Sequence, residues 1–328
     1  MRNWINMLSL AFLAMALTFP AQAAQKNNGK QASSKQTASA KRTARNANLS
    51  KEATAKARSS VNVSHAVAGS VEHPGVQSAG VLVMNEHTGE VVYQKSPDEV
   101  APIASITKLM TAMVVLDAGL PMNELLTIGP EDVDLLKNTS SRLGVGTSLT
   151  RAEMLLLALM SSENRAASAL SRHYPGGQVA FLKRMNDKAR ELGMVHSRFF
   201  DATGLTPNNV STPRELARMV VAARQYPEIH HFTTSSEYSF VSNISGRELQ
   251  FRNTNPLVRE GDWNIGLSKT GYTNEAGRCL VMQATINGSP VVMVLLDSAG
   301  KYTRIGDATR VRKWLETSPY ARLHASTF

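Results

Sequence analysis

Segments with the composition of β-strands occur at both ends of the region from residue 71 to residue 328, and helical segments lie between them. The strand-like segments are 80–84, 90–93, 238–241, 265–272, 279–286 and 291–296. Asn287 and Gly288 separate the last two and form a dipeptide typical of a tight hairpin turn. This order predicts an α+β fold with one antiparallel sheet built from both ends of the region, flanked by helices, and a helical insertion at about residues 122–235.

Apolar residues at helical spacing predict helices over 105–117, 163–173, 178–192 and 302–315. Two further helix starts carry the sequence of a capping box. Thr150 is followed three residues later by Glu153, and Thr212 is followed in the same way by Glu215, with Pro213 between them. In both places we expect the threonine hydroxyl and the glutamate carboxylate to accept each other's backbone N–H groups.

The first 23 residues have the pattern of a secretory signal. Arg2 gives a positive start, residues 7–19 are mainly apolar, and residues 21–23 read Ala-Gln-Ala, a typical cleavage site. A membrane anchor is the alternative, but the apolar stretch is shorter than the roughly 20 residues that a spanning helix needs. The pattern therefore favours export to the periplasm, with no transmembrane anchor after cleavage.

Residues 24–70 form a basic, low-complexity segment that we expect to be a disordered linker. The chain has a net charge of +10, but residues 1–60 contain ten Lys and Arg against one acidic residue, Glu52. The remaining residues are thus nearly neutral, with 26 basic against 25 acidic side chains. The segment is either a solvated spacer or an electrostatic attachment to an anionic envelope polymer; export makes nucleic acid an improbable partner.

The single cysteine, Cys279, lies in an apolar segment and is expected to be a small core residue. His230 and His231 are adjacent, but no third ligand follows at a spacing typical of metal sites. The sequence therefore predicts neither a metal site nor a cofactor.

Ser105 and Lys108 stand three residues apart at the start of a predicted helix. Side chains at this spacing are neighbours on a helix, so the amine lies within reach of the hydroxyl. A serine needs such a base because its hydroxyl is a weak nucleophile. Ser298 and Lys301 repeat the spacing, but they follow a strand-like segment and contain Gly300, which indicates a strand end and a turn.

Two further groups of polar residues follow in the chain. Ser162 and Asn164 lie between two predicted helices, where a hydroxyl can relay a proton and an amide can hold a peptide bond. Taken alone, the pair is equally typical of a helix N-cap. Lys269, Thr270 and Gly271 lie on a predicted strand, where the cation and hydroxyl suit a carboxylate and the glycine allows close approach of the substrate.

Together the three motifs, Ser-x-x-Lys, Ser-x-Asn and Lys-Thr-Gly, resemble those of the penicillin-recognising acyl-serine enzymes. The chain is similar to the low-molecular-mass penicillin-binding proteins of the D-alanyl-D-alanine carboxypeptidase/endopeptidase family. It most resembles the endopeptidases that lack a C-terminal β domain. The resemblance is carried by segments 162–167, 269–278 and 296–302, whereas 201–205 and 211–216 resemble family signatures outside the active site.

The resemblance implies the penicillin-binding/serine β-lactamase-like fold and a catalytic domain over 71–328. It implies a serine DD-endopeptidase that hydrolyses D-alanyl cross-bridges of peptidoglycan through an acyl-enzyme and is inhibited by β-lactams. In this interpretation Ser105 is the nucleophile, Lys108 the base and Ser162 a proton relay between Lys108 and the leaving amine. Backbone N–H groups of Ser105 and Tyr272 would stabilise the oxyanion, and the Lys269 cation would lower the pKa of Lys108.

Three other functions stay open at this stage. A D-alanyl-D-alanine carboxypeptidase shares the motifs, although such enzymes commonly have Gly where this chain has Glu163. We expect Glu163 either to influence the leaving side of the substrate or to face solvent or a cation such as Arg165. A serine β-lactamase and an inactive envelope-binding protein are the remaining alternatives. The sequence does not indicate an oligomeric state.

Overall fold

The computed structural model describes residues 73–318, so the predicted signal sequence and the basic segment 24–70 lie outside the described residues. The strands are β1 (Gly80–Asn85), β2 (Val91–Lys95), β3 (Ala101–Pro102), β4 (Leu125–Thr127), β5 (Ser148–Thr150), β6 (Val210–Ser211), β7 (Glu237–Val241), β8 (Glu248–Arg252), β9 (Asn264–Thr273), β10 (Gly277–Ile286) and β11 (Ser289–Ser298). The helices are α1 (Thr107–Asp117), α2 (Arg151–Met160), α3 (Asn164–Arg172), α4 (Gly177–Glu191), α5 (Pro213–Ala223), α6 (Pro227–Thr234), α7 (Pro256–Glu260) and α8 (Thr303–Thr317), with 3₁₀ turns at Ala104–Ile106 and Pro130–Asp132.

The central sheet has five strands in the order β2-β1-β11-β10-β9, and every neighbouring pair is antiparallel. Strands from both ends of the described region therefore form one sheet, as the sequence predicted. Asn287 and Gly288 connect β10 to β11 with positive φ angles of 50° and 80°, the backbone that a tight hairpin turn of this kind requires.

Both faces of the sheet are buried. Alternating side chains of β10 and β11 pack on one side in the larger core with α1 and α5, and on the other side in a second core with α8. Such burial on both faces explains why these strands read as nearly continuous apolar segments. Helix α5, which lies inside the range 122–235, packs against β1, β10 and β11.

Several elements differ from the sequence prediction. Strand β8 was not predicted and pairs with β7 in a separate two-stranded sheet, and helix α6 was also missed. The capping box at Thr150 is present in full. At Thr212 only half of it forms, because the Glu215 carboxylate binds His196 and Ser197 instead of the Thr212 N–H.

Two single-residue predictions are confirmed. Cys279 is a free, fully buried core residue. Ser298 is the last residue of β11, and its hydroxyl is 2.7 Å from that of Ser78, which also donates to the buried carboxylate of Asp307. Within residues 73–318, no helix is long and apolar enough to cross a membrane.

Candidate active site

Ser105 lies in the 3₁₀ turn Ala104–Ile106, immediately before α1 begins at Thr107. It is therefore not part of the regular α-helix that was predicted to begin at residue 105. The preceding residue, Ala104, is buried and has a positive φ of 46°, which is unusual for a residue with a side chain. Gly204 packs directly against this turn, since a Cβ at position 204 would lie 1.9 Å from the Ala104 carbonyl oxygen. The backbone of the nucleophile is thus held in place by a segment about a hundred residues away in sequence.

Lys108 is completely buried beneath Ser105. Its Nζ lies 2.9 Å from Ser105 Oγ, 2.8 Å from Asn164 Oδ1 and 2.6 Å from the carbonyl oxygen of Thr203. The Thr203 carbonyl can only accept hydrogen bonds. A neutral amine has two hydrogens and one lone pair, so donating to Asn164 and Thr203 leaves the lone pair directed at the Ser105 hydroxyl.

The pKa of Lys108 is lowered to about 7, and burial is the cause. The carboxylates of Asp201 and Glu163 oppose the shift, since negative charges favour the ammonium form. Burial is thus the main cause of the lowered pKa of Lys108, whereas the repulsion between Lys108 and Lys269 lowers the pKa of Lys269. At neutral pH a large fraction of Lys108 is neutral and able to take a proton.

Ser162 lies in the loop between α2 and α3 with a positive φ of 63°. Its hydroxyl accepts a hydrogen bond of 2.9 Å from Lys269 Nζ, which also donates to the Thr270 carbonyl oxygen. Burial and the nearby Lys108 hold the pKa of Lys269 well below its ordinary value. The Ser162 hydroxyl binds Lys269 and not Lys108, so the predicted proton relay from Lys108 to Ser162 does not follow a direct hydrogen bond.

Asn164 is the first residue of α3, so it lies in the helix predicted over 163–173 and not in the loop before it. Its Oδ1 faces Lys108, and its Nδ2 donates to the hydroxyl of Thr139 at 3.1 Å. The side chain of Glu163 is buried and accepts a 2.8 Å hydrogen bond from Ser141. Among the described residues Glu163 forms no ion pair, although its charge acts on Lys108. It ties the loop that contains Thr139 and Ser141 to the start of α3.

Ser105, Ser162 and Asn164 lie on one wall of the site, and strand β9 forms the opposite wall. The Thr270 hydroxyl donates to the Thr254 hydroxyl at 2.6 Å, and Tyr272 is half exposed with the Arg278 guanidinium 4.2 Å above its ring. Gly271 lies against the nucleophile turn, since a Cβ there would be 2.9 Å from the Ile103 carbonyl oxygen and 3.2 Å from the backbone nitrogen of Ser105.

We expect Gly271→Ala to slow acylation by a β-lactam about 10- to 100-fold, because the new methyl group would push β9 away from the backbone of Ser105, and small displacements of this kind are costly in catalysis. Gly144→Ala is the matched control, since a Cβ there has its nearest neighbour 3.9 Å away and the backbone is not left-handed. Stopped-flow acylation and thermal unfolding of both variants would check this. Unchanged acylation in Gly271→Ala would contradict the close packing.

A cavity of about 270 Å³ lies between the two walls. It is lined by Ser105, Thr139, Ser162, Asn164, Gly204, Leu205, Thr254, Thr270, Gly271, Tyr272, Thr273 and Arg304. Arg304, at the start of α8, has buried Nε and Nη1 atoms with no hydrogen-bond partner among the described residues. Such unsatisfied donors beside Thr270 suit an anionic group of a ligand.

The structure brings together all the residues that the three motifs singled out, and it adds five that sequence reasoning missed. Segment 201–205 had been assigned outside the active site, yet the Thr203 carbonyl accepts from Lys108, and Gly204 and Leu205 line the cavity. Thr139 and Arg304 carried no motif. The arrangement places a serine hydroxyl beside a buried amine with a pKa near neutrality, and the Arg304 guanidinium on one side of the cavity.

Comparison with known proteins agrees with this geometry. Residues 66–300 match the protein family described as D-alanyl-D-alanine carboxypeptidase. A D-alanyl-D-alanine endopeptidase from Pseudomonas aeruginosa is 52% identical over 249 residues, which cover 76% of this chain and 80% of that protein. The crystal structure of the Streptomyces K15 DD-transpeptidase aligns with a TM-score of 0.69 at 29% identity, covering 74% of this chain and 98% of that one.

The penicillin-binding protein D2 of Listeria monocytogenes, solved in its ampicillin-bound form, aligns with a TM-score of 0.62 at 28% identity. The alignment covers 73% of this chain and 96% of that one. These likenesses confirm the α+β fold that the sequence predicted.

Proposed function

This chain belongs to the D-alanyl-D-alanine carboxypeptidase family and is a serine D-Ala-D-Ala peptidase, and from that premise we propose that it is an endopeptidase that cleaves D-alanyl cross-bridges of peptidoglycan. The observation that carries the proposal is the 52% identity to a protein named D-alanyl-D-alanine endopeptidase. The geometry of the cavity supports the chemistry in the following steps.

In acylation, Ser105 Oγ attacks the carbonyl carbon of the D-Ala residue on the acyl side of the cross-link. Lys108 accepts the hydroxyl proton, for which its 2.9 Å contact and its pKa of about 7 are suited. The new bond is the ester between Ser105 and D-Ala, and the bond to the leaving nitrogen breaks. Water then hydrolyses the ester and releases the enzyme.

The negative charge that develops on the carbonyl oxygen needs donors that are already in place. We assign this role to the backbone N–H groups of Ser105 and Tyr272. The assignment is supported by Gly271, whose lack of a side chain lets β9 approach the backbone nitrogen of Ser105.

The leaving side of the substrate lies toward Ser162, Lys269 and Thr270. The Ser162 hydroxyl accepts from Lys269, so its own hydrogen is available to a leaving nitrogen in the cavity. Thr270 and Arg304 line the cavity directly, whereas Lys269 is buried behind Ser162 and is 1% exposed. We therefore assign recognition of the substrate carboxylate to Thr270 and Arg304, with Lys269 acting through Ser162.

A carboxypeptidase that removes terminal D-Ala is the alternative within the same family. A β-lactamase is less well supported, because none of the described residues that line the cavity is a carboxylate able to activate water for rapid deacylation. We expect β-lactams to form a lasting ester with Ser105. The similar penicillin-binding protein D2, which was solved in its ampicillin-bound form, supports this expectation.

We place the enzyme in the periplasm on the basis of the signal sequence, with the basic segment 24–70 as a spacer.

The test compares two substrates of the purified protein: a cross-linked muropeptide dimer and a monomeric pentapeptide that ends in D-Ala-D-Ala. Both present the same acyl D-Ala, so discrimination must come from the leaving side. We expect kcat/KM for cleavage of the dimer to exceed that for release of D-Ala from the pentapeptide. Faster release of D-Ala would identify a carboxypeptidase instead. Sustained penicillin turnover would identify a β-lactamase.

A further inference from the structure

Thr139 and Asp134 lie in a loop, defined here as residues 134–142, that reaches the active site without contributing to any of the three motifs. The Asp134 carboxylate accepts hydrogen bonds from the backbone N–H groups of Leu136, Lys137 and Thr139. It also accepts from the hydroxyl of Thr139 at 2.7 Å. These bonds hold the pKa of Asp134 below its ordinary value despite its partial burial, so the carboxylate is ionised and accepts only.

The ionised carboxylate of Asp134 fixes the direction of the hydrogen bond between Thr139 and Asn164. Because the Thr139 hydroxyl gives its only hydrogen to Asp134, its oxygen must act as the acceptor for Asn164. The Asn164 amide therefore points Nδ2 toward Thr139 and Oδ1 toward Lys108, where the oxygen accepts at 2.8 Å. The reverse orientation of the amide would place its N–H groups against the hydrogens of Lys108 and its oxygen against the accepting oxygen of Thr139.

We propose that Asp134 and Thr139 are positioning residues that direct the lone pair of Lys108 at Ser105 through the orientation of Asn164. The proposal rests on the role of Lys108 as the base. With Asn164 Oδ1 and the Thr203 carbonyl as fixed acceptors, both hydrogens of a neutral Lys108 are committed. Only the lone pair then faces the Ser105 hydroxyl.

Loss of the Thr139 hydroxyl would allow the amide to turn. An amide N–H facing Lys108 would take up the lone pair of the neutral amine, so the hydroxyl of Ser105 would lose its proton acceptor. The same N–H would also disfavour the ammonium form and lower the pKa of Lys108. The charged groups that act on Lys108 or are affected by it are Asp201, Glu163 and Lys269, and none of them changes in this comparison.

The experiment measures the second-order rate constant for acylation by benzylpenicillin from pH 5 to 9 in the full-length protein and its variants. In Thr139→Val we expect the plateau rate to fall about three- to tenfold, the effect of one lost hydrogen bond. We expect the pH midpoint to move down by about half a unit or more. Thr139→Ser keeps the hydroxyl, so its pH midpoint should equal that of the wild type.

Glu275→Gln is the matched control for the loop itself. Glu275 forms an ion pair with Lys137, so the substitution loosens the loop without touching the chain of bonds from Asp134 to Lys108. We expect its pH midpoint to equal that of the wild type. An unchanged midpoint in Thr139→Val, or an equal shift in Glu275→Gln, would overturn the proposal. Absence of acylation in the wild type would instead contradict the proposed function.

Discussion

Ser105→Ala is expected to form no covalent adduct with benzylpenicillin and to lose peptidase activity by about 10⁴-fold or more, the usual cost of removing a nucleophile. The Ser105 hydroxyl lines the cavity with Lys108 Nζ 2.9 Å away and the backbone of Gly271 beside it. The substitution removes one oxygen from a half-buried turn, so the fold should be preserved. Intact-mass spectrometry after incubation with the antibiotic would measure the adduct, and thermal unfolding would check the fold.

Ser298→Ala is the matched control, because Ser298 has the same spacing to a lysine. Its hydroxyl is buried against Ser78 and the Asp307 network, while Lys301 lies on the surface. This variant should form the adduct at the wild-type rate. An adduct that persists in Ser105→Ala, or that disappears in Ser298→Ala, would refute the assignment of the nucleophile.

Substitution of Lys108 should have the second largest effect, a decrease in acylation of about 10²- to 10⁴-fold, the range for loss of a general base. Lys108→Arg keeps the positive charge, but an arginine stays protonated and cannot accept a proton from Ser105. Lys108→Met removes both the charge and the base from a fully buried position. Both variants should be strongly impaired. Activity of Lys108→Arg close to that of the wild type would show that the charge of Lys108 suffices.

The wild-type enzyme should show the corresponding pH dependence. Burial lowers the pKa of Lys108 to about 7, and the neutral form is the base. Acylation should therefore rise with pH through a midpoint near 7, with about one tenth of the plateau rate one unit below it. The rate constant for benzylpenicillin measured from pH 5 to 9 would check this. A flat profile, or one that falls through pH 7, would contradict a neutral lysine base.

The sequence was sufficient to predict which serine, which lysine and which strand meet at the cavity. Those residues act through their side chains, and Ser105 and Lys108 are close in sequence, so spacing alone brings them together. Thr203 was missed because it acts through its backbone carbonyl, which no residue type specifies. Arg304 was missed because a single arginine at a helix start resembles many others until burial shows that its donors have no partner.

Local rules failed where a tertiary contact took precedence. Glu215 has the sequence of a capping box, but its carboxylate binds His196 and Ser197 instead. Glu163 was expected to face solvent or a cation, or to influence the leaving side of the substrate. Its buried carboxylate instead accepts a hydrogen bond from Ser141, and its influence on the substrate stays a prediction. Strand β8 pairs only with β7, so its burial pattern is weaker than that of the central strands and its sequence resembles a surface loop.

Ser105 owes its surroundings to parts of the chain that are synthesised well after it. Lys108 meets Asn164 across 56 residues and Thr203 across 95, and Gly271 arrives later still. A nascent or partly folded chain thus contains the serine but not the means to activate it. Covalent labelling by a β-lactam consequently reports more than the presence of the protein. It marks only molecules in which Lys108 has met Asn164 and Thr203, and in which strand β9 has packed against Ser105.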